Sequence, residues 1–376
     1  MDVNYSNESK KIHIYADHAA TTPLNHKAYE SMLPYLLNDY GNASQPYVFA
    51  RSPKKALKEA RAIIAECIGA IPEEIFFTSC GTESNNWVIN GAIRQNMSIL
   101  VSSIEHHAII KPCLLSDKTF FLPVTPEGIV LPTVLERMSK RENALVSIMY
   151  ANNEIGTIEP VDKLVSIAHS KGFLFHTDAV QAIGHTFINV HELDVDMLSA
   201  SAHKFNGPKG IGFLYIKKGV IWPSFIIGGT QEYGHRAGTE NIASIVGMAV
   251  ALQENINSLE ENMIYVDSLE SQLLNYINES GIKYKRNGDS NHIVGNVSLS
   301  FPDKDGEAIL HRLDLQGISI STGSACDSEN TKISHVLKAI NLEEKYAKGT
   351  VRISLGSDNT EQEVKILAEA LIKAQH

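Results

Sequence analysis

From residue 73 to residue 216 the chain repeats one pattern: a short apolar run, a polar turn, then a stretch with helical spacing. The runs are IFF (75–77), SILVSS (98–103), ALVSIMYA (144–151), FLFHTDA (173–179), DMLSASA (196–202) and GFLYI (212–216), with EHHAIIKPCLL and VDKLVSIAHSKG among the helical stretches between them. Strands that are apolar at nearly every position, not every second one, are buried on both faces. That requires a mostly parallel sheet with helices on each side. The pattern therefore predicts a large doubly wound α/β domain over residues 17–255. Two helices are expected before it settles, one from His26 to Leu37 and one in 52–70 with Ser52 as N-cap and Pro53 in its first turn. After GGTQEYGHRAGTENI (228–242) the rhythm changes. A long amphipathic helix, broken near Asn257, leads into GNVSLSFP, GISISTGS, GTVRISLGS and a terminal helix over 361–374. Residues 1–16 and 256–376 are assigned to a second, smaller α+β domain.

Composition narrows the function classes. At 376 residues the chain is long enough for two cores, and a net charge of −10 disfavours nonspecific binding to nucleic acid or anionic membrane. No run approaches the length of a membrane helix, and MDVNYSNESKK lacks an apolar leader core, so a cytoplasmic protein is expected. The four cysteines, Cys67, Cys80, Cys113 and Cys326, form no CxxC pair. They suit a reducing compartment better than a disulfide framework or a zinc site.

In an open parallel sheet, ligands bind beyond the carboxyl ends of the strands, and polar residues cluster there. Lys204 lies in SAHKFNGPKG (201–210), a Gly/Pro-rich loop between two strands, with Ser201 and His203 beside it. It reads either as a solvated loop lysine or as an amine able to form a Schiff base. Ser79-Cys80-Gly81-Thr82 opens a helix, as an ordinary N-cap or as a phosphate cradle. Asp178 closes an apolar strand, as a capping carboxylate or as the partner of a protonated ring nitrogen, with Gln181 one turn on. His106 and His107 follow another strand end, where one imidazole can lie over an aromatic cofactor. In ANNEIG (151–156) an amide can bond a phenolic oxygen. Together these groups describe a site for pyridoxal 5'-phosphate. In the smaller domain, Cys326 lies in the polar STGSACDSEN (321–330), where an exposed thiol can serve as a nucleophile. Arg352, in GTVRISLGS, is either a surface charge or a clamp for a substrate carboxylate.

The motifs YADHAATTPL (15–24), GNAS (41–44), TSCGTESNN (78–86), EHHA (105–108), NNEIG (152–156), HTDAVQ (176–181), SAHKFNGPKGIG (201–212), GGTQEYGHRAGTEN (228–241), GSAC (323–326) and RISLG (352–356) occur in one order. In that order the chain resembles the cysteine desulfurases of the iron–sulfur assembly type, class V aminotransferase-like enzymes of the fold-type I pyridoxal phosphate group. The resemblance implies conversion of L-cysteine to L-alanine, with the sulfur left as a persulfide on the enzyme and passed to an acceptor protein.

By the same resemblance Lys204 is the Schiff-base lysine, Asp178 the partner of the pyridine nitrogen and His106 the ring-stacking histidine. Gln181 and Asn153 contact the phenolic oxygen; Gly81, Thr82, Ser201 and His203 hold the phosphate. Thr239 is implied to reach the phosphate of a second subunit in a homodimer. Cys326 is implied as the persulfide-forming nucleophile, assisted by His106, and Arg352 as the carboxylate clamp, helped by Asn153. The family pattern is altered at Tyr47 and Ala50 in GNASQPYVFA, at Cys80, and at Thr230 and Tyr233. A selenocysteine lyase or an aminotransferase of the same fold is the nearest rival reading, and a cofactor-free sulfur carrier the more distant one. The thiol of Cys326 argues against transamination; Lys204 and Asp178 argue against the carrier.

Overall fold

The computed structural model describes residues 13–139, 143–322 and 333–375. Twelve strands occur among them: β1 (Ile14–Tyr15), β2 (Ile75–Thr78), β3 (Ser98–Ser102), β4 (Thr119–Leu122), β5 (Ala144–Ser147), β6 (Leu174–Asp178), β7 (Met197–Ser201), β8 (Gly212–Ile216), β9 (Lys285–Asn287), β10 (Asn296–Ser300), β11 (Ile318–Ser319) and β12 (Thr350–Ser354).

Seven of these form the main sheet in the order β2-β8-β7-β6-β5-β3-β4. Strands β3 to β7 pair in parallel, whereas β8 runs antiparallel to both β7 and β2. The expectation of a mostly parallel sheet is met. Successive residues of one strand point to opposite faces. Leu100, Val146, Leu198 and Phe213 accordingly join the apolar cluster on one side, and Ile99, Leu145, Met197 and Leu214 the cluster on the other. Both faces are covered, which is why adjacent positions of these runs are apolar and not only alternate ones.

Two local expectations change. The helix Arg51–Cys67 begins before Ser52, because a 3₁₀ turn at Val48–Ala50 winds directly into it. Ser52 therefore does not cap it, and its hydroxyl donates to Asp39 instead (2.6 Å). Strand β4 is absent from the sequence reading. It is the sheet edge, with Phe120 and Phe121 exposed, and it follows Leu114 and Leu115 as though the preceding helix continued. The helix His26–Leu37 has the expected bounds and is capped by Asn25 on the Ala28 N–H. The long helix breaks at Ser258, between Ile242–Asn257 and Leu259–Glu279.

A second apolar cluster gathers Ile14, Leu269, Val297, Leu299, Ile353 and Leu367. It packs beneath a three-stranded antiparallel sheet, β12-β10-β9, while β1 pairs in parallel with β11. Just past β1, Asp17 bridges to Ser354 at the end of β12. That crossing carries residues 17–22 to the carboxyl edge of the main sheet.

Candidate active site

The carboxyl ends of β2, β3, β5, β6 and β7 open onto one cavity of about 270 Å³. Of the residues singled out in the sequence, Gly81, Thr82, His106, Asn153, Asp178, Gln181, Ser201, His203, Lys204 and Arg352 all line it. Thr239 does not: it is exposed and lies outside the cavity of its own chain. Cys326 lies outside the described residues.

Lys204 ends a 3₁₀ turn that follows β7 directly. Its Nζ donates to the carbonyl oxygens of Ala19 (2.5 Å) and Ala20 (2.8 Å), and its own carbonyl accepts from His185 Nε2 (2.7 Å). The amine is thus held at the cavity wall by main-chain acceptors. Gln181 Nε2 donates to the same Ala19 carbonyl (2.9 Å).

Asp178 closes β6 and is almost fully buried. Oδ1 accepts from the Val180 N–H (3.0 Å) and Oδ2 from Asn85 Nδ2 (2.6 Å). Burial pushes its pKa above the usual carboxylate range; the Val180 N–H, His106, Asn85 and Lys204 work in the other direction. Both sequence alternatives are therefore partly realised: the carboxylate does accept a local N–H, and it also faces a cavity. A cationic ring nitrogen there would offset the cost of keeping it charged.

The opposite end of the cavity suits an anion. The helix Gly81–Arg94 starts there, and its N-cap, Cys80, makes no side-chain capping bond, so the ordinary-cap alternative fails. The Ser201 hydroxyl is buried in the cavity wall with no protein partner. Burial, with help from Lys204 and Lys209, lowers the His203 pKa to about 4, leaving a neutral ring whose Nδ1 lies 3.2 Å from Thr21 Oγ1. An open helix N-terminus beside a partnerless hydroxyl fits a phosphate, and the carboxylate across the cavity fits a pyridinium. The residues present fit pyridoxal 5'-phosphate.

Only one residue of each tandem pair reaches the cavity. His106 lines it and caps the next helix through Nδ1, which accepts from the Ala108 N–H (3.1 Å). Burial lowers its pKa, with Asp178 opposing and Lys204 reinforcing. In the neutral ring the proton is then on Nε2. His107 instead meets His335, with ring centroids 4.8 Å apart. Asn152 is consumed by its own loop, accepting from the Glu154 and Ile155 N–H groups and donating to Ile104. Asn153 is left to the cavity.

Arg352, in the middle of β12, is 4% exposed, which removes the surface-charge alternative. Nη2 donates to Asp17 Oδ1 (2.6 Å), Nη1 donates to the Asn153 carbonyl (3.0 Å), and Nε has no partner. The sequence reading missed Asp17, Asn85 and the Ala19 and Ala20 carbonyls as parts of the site. For Asn85 a signal existed: it lies four residues after Gly81, on the same helix face. For carbonyls there is none, since every residue has one.

No group of three or more potential metal ligands occurs among the described residues. Nor does any helix there have the length and apolarity to cross a membrane.

Comparison with known proteins agrees with this geometry. The family model "Aminotransferase class-V" matches residues 14–367. The chain belongs to that family, and its members of this type use pyridoxal 5'-phosphate. It is 44% identical to the cysteine desulfurase IscS of Dictyoglomus turgidum, over 96% of this chain and 94% of that one. Among solved structures, a NifS-like protein superposes with a TM-score of 0.90 at 34% identity, covering 96% of this chain and 99% of the other. SspA in complex with cysteine superposes with a TM-score of 0.80 at 33% identity, covering 92% and 100%.

Proposed function

We propose that this protein is a pyridoxal phosphate-dependent cysteine desulfurase, producing L-alanine from L-cysteine and passing the sulfur through a Cys326 persulfide to an acceptor protein. The observation that carries the reading is the meeting of Lys204, Asp178, the partnerless Ser201 hydroxyl and Arg352 in one cavity. Bound there, the cofactor supplies a sink for negative charge developing at the substrate α-carbon. The chain's own residues do the rest. Arg352 holds the substrate carboxylate with Asn153 beside it. The Lys204 amine removes the α-proton, and Asp178 keeps the ring nitrogen charged. His106, with Nδ1 accepting from the Ala108 N–H, carries its ring proton on Nε2 and offers that N–H as a hydrogen-bond donor at the cavity wall. The Cys326 thiolate attacks the substrate sulfur: the S–S bond of the persulfide forms as the substrate's Cβ–S bond breaks, and the electron pair of that bond stays with the three-carbon skeleton, which is protonated and released as alanine.

The reading includes a cytoplasmic homodimer of two-domain chains, residues 17–255 forming the cofactor domain and residues 1–16 with 256–376 the smaller one. Thr239 is exposed, as a residue serving another subunit's phosphate is required to be. Val48, Phe49, Ile227 and Tyr233 are exposed apolar side chains, and burying them between subunits is favourable.

The test is direct. Borohydride reduction of the purified protein should leave a pyridoxyl group on Lys204, and Lys204→Ala should abolish alanine formation. A pyridoxyl group on another lysine, or alanine formation by Lys204→Ala at the parent rate, overturns the reading. Comparing L-cysteine with L-selenocysteine and with keto-acid acceptors separates the rivals.

A further inference from the structure

His335 opens the helix His335–Ala339, which packs against the carboxyl edge of the main sheet through Val336, Leu337 and Ile340 on Ile104, Met149 and Ile155. Its Nε2 lies 2.9 Å from the Glu105 carbonyl oxygen. A carbonyl can only accept, so this nitrogen carries the proton. The His335 ring also lies against His107, at an interplanar angle of 39°.

Glu105 is gripped from the other side as well. Its buried carboxyl group accepts from the Met149 N–H (2.7 Å), and the preceding carbonyl, that of Ile104, accepts from Asn152 Nδ2 (2.9 Å). The backbone entering His106 is thus held by β5-side donors on one flank and by His335 on the other. His106 is the residue within this clamp whose ring lines the cavity.

We propose that His335 is a positioning residue for His106: its bond to the Glu105 carbonyl sets the corner from which the His106 ring meets the cofactor. The inference rests on the reading of the cavity as a pyridoxal phosphate site. Apolar contacts already dock the helix, so removing the His335 donor to the Glu105 carbonyl should leave the helix in place and loosen the corner. A ring displaced by a fraction of an ångström changes both the light absorption of a stacked cofactor and the speed of proton transfer beside it.

Three variants of the holoenzyme separate the contributions. His335→Phe keeps a ring against His107 and removes the donor; His335→Gln keeps a donor and removes the ring; His106→Ala is the reference. The readouts are the visible spectrum of the bound cofactor, the rate of its change on mixing with L-cysteine, and the melting temperature. The expected result is that His335→Phe shifts the spectrum in the same direction as His106→Ala and slows the cysteine-induced change about fivefold, the effect of one neutral hydrogen bond. His335→Gln should stay within about twofold of the parent. If the Phe variant does not fold, His335→Asn, too short to reach the carbonyl, should show the same slowing. Parent-like spectra and rates in the Phe and Asn variants overturn the proposal. So does equal impairment of Phe and Gln, or a change confined to melting temperature. If His106→Ala itself leaves the spectrum unaltered, the site reading fails and takes this inference with it. A spectrum that responds to His106→Ala but not to His335→Phe overturns the positioning role alone.

Discussion

Arg352 and Asp17, 335 positions apart in sequence, form a partly buried ion pair with Nη2 2.6 Å from Oδ1. Two residues further along, Ala19 and Ala20 hold the Lys204 amine through their carbonyls. The Ala19 N–H is itself tied to the Ser354 hydroxyl of β12. One short segment, DHAA, therefore fixes both the Lys204 amine and the Arg352 guanidinium.

Replacing the guanidinium by an ammonium tests this arrangement. Arg352→Lys keeps the charge and loses the fork that spans Asp17 and the Asn153 carbonyl and that, in the proposed function, also takes the substrate carboxylate. A charge-assisted bidentate contact is worth roughly 1.5–3 kcal/mol, so KM for L-cysteine should rise about 10- to 100-fold with a smaller fall in kcat. Steady-state kinetics on holoenzyme decide it. An unchanged KM means that the carboxylate is held elsewhere.

The cysteines should divide sharply. Burial raises the Cys67 thiol to about 11 and the Cys113 thiol to about 12, so both are protonated and unreactive at neutral pH. Iodoacetamide mapping by mass spectrometry should label neither in the native protein. Cys67→Ala and Cys113→Ala should keep desulfurase activity, whereas Cys326→Ser should bind cysteine with a spectral shift and release almost no alanine. Cys80 lines the cavity, and Cys80→Ala should also be tolerated. A Cys80→Ala variant that fails where Cys326→Ser works reassigns the nucleophile.

Glu159 gives a pH signature of known sign. It is buried, Oε2 accepts from the Val130 N–H, Oε1 has no partner, and burial raises its pKa to about 8. Between the ordinary value of 4.5 and about 8 the folded chain binds more protons than the unfolded one. This group's stabilisation is then complete at low pH and lost as pH rises through about 8. Guanidinium unfolding at pH 5, 6.5 and 8 should show the parent losing on the order of a few kcal/mol relative to Glu159→Gln. Parallel curves for the two proteins show that Glu159 is charged in the fold.

The loop that carries Thr239 depends on a second ion pair, this one buried. Arg61 donates through Nη1 and Nη2 to Glu232 (both 2.7 Å), which also accepts from the Phe77 N–H (2.9 Å). Glu232 and Tyr233 both have positive φ, 46° and 55°, a conformation that needs such support. Arg61→Met should cost about 3–5 kcal/mol of stability by stranding the carboxylate. If the homodimer reading holds, it should also weaken association in sedimentation experiments. A stability within about 1 kcal/mol of the parent shows that Glu232 finds another partner.

Local pattern was enough for the parallel sheet, because strands covered on both faces carry apolar residues at adjacent positions and not only at alternate ones, as Ile99-Leu100-Val101 of β3, Leu145-Val146 of β5, Leu174-Phe175 of β6 and Met197-Leu198 of β7 do. The meeting of polar groups at strand ends was equally legible: Lys204, Asp178 and His106 lie at or just past the ends of strands, and the sheet brings strand ends together by its construction. What local pattern cannot carry is pairing over distance. Nothing in YADHAATTPL announces that Asp17 will neutralise Arg352, or that two alanine carbonyls will seat a lysine. Those contacts exist only once β1 pairs with β11 and Asp17 bridges to β12. The choice between Asn152 and Asn153, or between His106 and His107, is of the same kind. Each pair has one composition, and the direction in which the folded backbone turns its side chains decides which member meets the cavity.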